Sequence, residues 1–85
     1  MSEVLVTFKV MPADGDVDIS KIESKIKSKI EIKKIEKEPI AFGIVALKVT
    51  TIVMDAEGVL DEIEQDLRKI DGVGEVEVTE ISRVL

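Results

Sequence analysis

Apolar side chains at Val4, Val6, Phe8 and Val10 alternate with Leu5, Thr7 and Lys9. A period of two marks a strand with one buried face, so the chain is predicted to open on a strand. Met11 to Val17 contains Pro12, Asp14, Gly15 and Asp16, residues that fix φ or tolerate positive φ, and predicts a loop. Asp18 then fits a helix N-cap, and Val17 before it is placed to pack on Ile22. Ile19, Ile22, Ile26 and Ile30 recur at steps of three and four, while Lys21, Lys25 and Lys29 form a separate stripe. That spacing predicts a short amphipathic helix.

Ile32 to Lys37 predicts a weaker strand, since Ile32 and Ile35 differ in parity, and Lys33, Lys34 and Lys37 suit an edge. Pro39 is expected to stop it, and Gly43 to loosen the turn that follows. Ile44 to Met54 is a β-branched run with Val45, Leu47, Val49, Thr51 and Val53 on one face, the pattern of a central strand. Asp55 is a candidate cap for a second helix that carries Val59, Leu60, Ile63, Leu67 and Ile70 inward and Asp61, Glu62, Glu64 and Asp66 outward. Asp71-Gly72 ends that helix. Val76 and Val78 then alternate with Glu75, Glu77 and Thr79, and the alternation slips at Glu80-Ile81, where a bulge is expected.

The order βαββαβ, in one domain over residues 1–85, closes most simply as a split βαβ. The fold expected is an α/β ferredoxin-like sandwich: a four-stranded antiparallel sheet, first and third strands central, with two helices on one face. Its core is expected from Val4, Val6, Phe8, Val10, Ile22, Ile26, Val45, Leu47, Val49, Ile63, Leu67 and Val76. The uncovered face would carry Leu5, Thr7, Lys9, Ile44, Ala46, Lys48 and Thr50, and is expected to be solvated.

Composition narrows the chemistry. The chain has 85 residues with neither cysteine nor histidine. Disulfides, thiol nucleophiles, imidazole bases and the usual soft-metal sites are thereby excluded. No apolar run approaches the roughly 18 to 20 residues that span a bilayer, and Met1-Ser2-Glu3-Val4 lacks a basic leader. A cytoplasmic protein without membrane contact is expected. The net charge of −6 is uneven: Ser20 to Glu38 holds seven Lys against four Glu, whereas Asp55 to Glu80 holds ten acids against Arg68 and Lys69. Such an acidic stretch repels nucleic acid, and Phe8 and Phe42 are the only aromatics on which bases could stack. No direct nucleic-acid partner is expected.

Candidate catalytic groups are scarce. The serines have no histidine to activate them. Asp14, Asp16 and Asp18 alternate but lack the glycine and distal glutamate of a calcium loop, and Gly72-Val73-Gly74 follows a helix rather than a strand and so reads as a turn. No metal, cofactor or enzymatic chemistry is expected, which leaves binding. The turn Pro39-Ile40-Ala41-Phe42-Gly43 puts Ile40 and Phe42 where hairpins usually place polar residues. It reads either as a hairpin whose Phe42 folds over the end of the core, slightly favoured by the residues alone, or as an exposed anchor. The ending Ile81-Ser82-Arg83-Val84-Leu85 sets one cation among apolar residues, a frayed terminus or a second contact.

Taken together, Lys9-Val10-Met11-Pro12, Val17-Asp18, Glu38-Pro39-Ile40-Ala41-Phe42-Gly43 running into Ile44-Val45-Ala46-Leu47, Ile70-Asp71-Gly72-Val73 and Val78-Thr79-Glu80-Ile81 resemble the archaeal elongation factor 1-beta family over essentially the whole chain. The resemblance implies a guanine nucleotide exchange factor, not an enzyme, that binds elongation factor 1-alpha and speeds release of GDP so that GTP can enter. It implies that Phe42, within Pro39 to Gly43, contacts the second domain of that partner. It also implies a basic residue beside the C-terminus that intrudes at the partner's Mg²⁺ and phosphate site. The family's eukaryotic members carry Lys immediately before the last residue; Val84 stands there in this chain, and Arg83 is the nearest cation. A monomer is expected. The alternative is a ferredoxin-like small-molecule sensor or regulatory module, which would dimerise around its ligand.

Overall fold

Residues 3–83 are described by a computed structural model. In chain order they form β1 (Glu3–Pro12), α1 (Ile19–Lys29), β2 (Lys34–Ala41), β3 (Ile44–Met54), α2 (Val59–Arg68) and β4 (Val73–Arg83). The strands make one sheet in the order β2-β3-β1-β4, and every neighbouring pair is antiparallel. This is the ferredoxin-like arrangement expected for the element order βαββαβ. Ile22 and Ile26 of α1 and Leu67 of α2 join one core with Val6, Phe8, Val10, Leu47, Val49, Val53 and Val76, so both helices cover the same sheet face.

Local chemistry explains most element ends. The Asp18 carboxylate accepts the Ser20 amide at 3.0 Å and satisfies one of the free donors at the start of α1. Val17 packs against the core beside it. At the start of α2 the expectation fails: the N-cap is Gly58, at φ +83°, and no side chain caps the helix. Asp55 lies in a turn before it, where the Ala56 amide donates to the Met54 carbonyl. Asp61 and Glu62 in the first turn supply the favourable charge instead.

β2 also differs from expectation, running through Pro39 to Ala41. It is an edge strand, where a residue without an N–H is tolerated on the open side. Pro39 pairs with Val45 and Ala41 with Ile44, leaving Ile40 as the extra residue of a bulge.

β4 carries two irregularities rather than the single one expected at Glu80-Ile81. Pro12 pairs with Val73 and Met11 with Glu75, so Gly74 is extra; Phe8 pairs with Val78 and Thr7 with Glu80, so Thr79 is extra. A Cβ on Gly74 would lie 2.8 Å from the Ala13 Cα, which explains the glycine. The Thr79 hydroxyl donates to the Thr7 carbonyl at 3.3 Å and steadies the second bulge. Because each bulge resets the alternation, Val73, Val76, Val78, Ile81 and Arg83 all take the parity of the helix-covered face.

The core departs from expectation at its margins. Val4, Val45 and Ile63 are half-buried, while Val53 and Ile70 are buried. On the uncovered face Thr7 and Ala46, small residues of the two central strands, are buried rather than solvated.

Candidate functional site

The β2–β3 hairpin ends in a two-residue turn, Phe42-Gly43, between the paired Ala41 and Ile44. Its φ values, +53° and +76°, are those of a type I′ turn, whose twist suits the flanking strands. Glycine meets this requirement at no steric cost. Phenylalanine does not: Phe42 is the one non-glycine residue with positive φ among those described, and its ring is fully exposed. The reading in which Phe42 folds over the core is therefore corrected. The sequence-predicted residues Pro39, Ile40, Ala41, Phe42 and Gly43 are all exposed on this one hairpin, and the bulge at Ile40 turns a second large apolar side chain to solvent.

Arg83 lies far from them. It pairs with Val4, at the opposite end of the sheet from the Val10–Leu47 pair that precedes the hairpin tip. It is exposed and makes no ion pair with any other described residue. Val84 and Leu85 lie outside the described residues. Near Arg83, Ile81 and Met54 are also exposed, so the large exposed apolar residues among those described, Ile40, Phe42, Met54 and Ile81, divide between the two ends of a body 41 Å long. Ile81 belongs to the ending already singled out in the sequence, whereas sequence reasoning missed Met54.

Sequence reasoning also missed a groove of about 130 Å³ beside the hairpin, formed where the β1–α1 loop approaches Gly43. Val17, Ile19 and Val45 make its apolar floor, and Asp14 and Gly15 stand at its rim. The Asp14 carboxylate accepts the Asp16 amide at 2.8 Å, which holds the loop in a local turn. Among the described residues no group of His, Cys, Asp and Glu is placed to hold a metal ion, and no helix is long and apolar enough to cross a membrane.

The class these features define is a small ferredoxin-like α/β domain whose exposed apolar chemistry sits at the two ends of its sheet. Residues 5–84 match the EF-1 guanine nucleotide exchange domain, and the chain belongs to that family. Elongation factor 1-beta of Methanothermobacter thermautotrophicus is 44% identical over 89 residues, covering 100% of both chains. That of Thermoplasma volcanium is 41% identical over 88 residues, covering 99% of this chain and 100% of the relative. Among solved structures, the ACT domain from GTP pyrophosphokinase of Chlorobium tepidum superposes with a TM-score of 0.71 at 23% identity, covering 94% of this chain and 90% of that one. At that identity the likeness concerns the fold alone, and the relatives do not favour the small-molecule sensor alternative.

Proposed function

We propose that this protein promotes exchange of GDP for GTP on elongation factor 1-alpha by binding that partner at both ends of its sheet, without a catalytic side chain of its own. Phe42 carries the reading. A fully exposed aromatic held at positive φ adds nothing to the isolated fold, and backbone strain concentrates where function requires it. Exposed aromatic rings that become buried on association are frequent hot spots. In a chain of the exchange-domain family, a partner protein gives this side chain its use.

Exchange then follows from linkage. A factor that binds the nucleotide-free partner more tightly than the loaded one must, by reciprocity, lower nucleotide affinity by the same ratio. Phe42 would hold one partner domain. The Arg83 guanidinium, at the other end, would approach the Mg²⁺ and phosphate site, where a second cation disfavours the metal and so weakens phosphate binding. The test is release of fluorescent GDP from preloaded elongation factor 1-alpha. The expected result is acceleration that saturates with factor; no acceleration at any concentration would refute the reading.

A further inference from the structure

The groove beside the hairpin has a feature the fold does not explain. Gly15 is not among the glycines at positive φ, and a Cβ built on it meets nothing within 4 Å. Neither backbone geometry nor packing therefore calls for glycine at 15. Replacing such a glycine ordinarily stabilises a domain by restricting its unfolded chain. Gly15 itself lines the groove together with Val17, Ile19, Val45 and Gly43, so a side chain added at 15 would stand at its edge.

We propose that this groove receives an apolar side chain of the partner protein, flanked by a partner cation that pairs with Asp14. The inference rests on the exchange-factor reading above and assigns the partner's chemistry on the side of Phe42. Three observations support it. The groove is continuous with the Phe42 turn through Gly43, so a surface that accepts the Phe42 ring also covers the groove. Its volume, about 130 Å³, is well below the roughly 300 Å³ that a drug-sized ligand needs, which favours a single protruding side chain over a free ligand. Its rim is acidic: Asp14 is exposed, and its carboxylate makes no ion pair with another described residue, only the hydrogen bond from the Asp16 amide. The hairpin and the groove thus form a knob and a hole side by side, which fixes the rotation of the domain about the Phe42 contact as a single knob cannot.

The experiment is GDP release from preloaded elongation factor 1-alpha as a function of factor concentration, with wild type, Gly15→Leu, Asp14→Asn and, as a control for added apolar surface, Ser24→Leu on the exposed side of α1. Asp14→Asn keeps an oxygen to accept the Asp16 amide and removes only the charge. Expected is at least a tenfold rise in the half-saturating concentration for Gly15→Leu, with an unchanged melting temperature and an unchanged maximal rate. Asp14→Asn is expected to show a smaller rise and a shallower dependence on salt, and Ser24→Leu no change. Gly15→Leu with wild-type half-saturation overturns the proposal. Should that variant melt lower, wild-type half-saturation and salt dependence in Asp14→Asn overturn it instead. A wild-type protein that accelerates nothing refutes the exchange-factor reading itself, and this inference with it.

Discussion

At the scale of single residues, Phe42 shows how far side-chain patterning reaches. An apolar pair in a hairpin turn was legible, but whether Phe42 lies over the core or projects from it depends on turn type, which the residue order Phe-Gly leaves open. Both φ values are positive, so the turn is one that asparagine followed by glycine fills best. Phe42→Asn is therefore expected to stabilise the isolated domain by about 1 kcal/mol, because asparagine adopts left-handed φ at lower cost. Urea unfolding measures this, and in parallel the half-saturating concentration for GDP release should rise. A stability loss in Phe42→Asn would mean that the ring packs on the domain after all. Leu47, by contrast, is fully buried as its alternation predicts, and Leu47→Ala should cost roughly 2 to 5 kcal/mol in the same assay.

At the scale of elements, the strands and helices were legible because their apolar periods are long, whereas their ends depend on a few hydrogen bonds. The two aspartates expected to cap helices differ only in the structure. The Asp18 side chain accepts the Ser20 amide, while Asp55 stands outside α2, whose cap is Gly58. Asp18→Ala should therefore lower stability by about 1 kcal/mol and Asp55→Ala by less than about 0.5 kcal/mol, in matched thermal or urea unfolding. The bulges were visible only as a slip in alternation. Their consequence was not, since two insertions are needed to keep Val73, Val76, Val78, Ile81 and Arg83 on one face. Deleting Thr79 would join Val78 directly to Glu80 and restore regular alternation, with Thr7–Glu80, Val6–Ile81 and Val4–Arg83 still paired and Ile81 and Arg83 still on the helix-covered face. That variant should keep its circular dichroism spectrum and, since Arg83 stays on the helix-covered side, a maximal GDP-release rate near wild type; a large loss of rate would show that the bulge itself, and not only the facing of Arg83, is needed.

At the scale of the whole molecule, the antiparallel order puts the ends of non-neighbouring elements far apart. Arg83 is level with Val4, whereas Val45, at the base of the Phe42 turn, stands two residues beyond the Val10–Leu47 pair, level with Pro12. The eight strand steps between these levels span about 26 Å at roughly 3.3 Å each. The separation expected from topology alone thus has a register beneath it, and the turn tip lies further still. One small ligand cannot touch both ends; a two-domain partner can. If Phe42 supplies affinity and Arg83 acts only where charge at the nucleotide site changes, their effects belong to different kinetic constants. Phe42→Ala should raise the half-saturating concentration by tenfold or more, as expected when an aromatic anchor worth about 2 kcal/mol is truncated, and leave the maximal rate of GDP release near wild type. Arg83→Ala should lower that maximal rate while changing half-saturation little, and added Mg²⁺ should slow release less in this variant than in wild type, because the cation competing with the metal is gone. Saturation curves at two Mg²⁺ concentrations, for each variant and for the pair combined, separate the constants. Residues more than about 10 Å apart without shared partners act additively, so the double variant should combine both losses. An Arg83→Ala protein with an undiminished maximal rate and unchanged Mg²⁺ response would show that nucleotide is displaced by some other part of this end of the sheet.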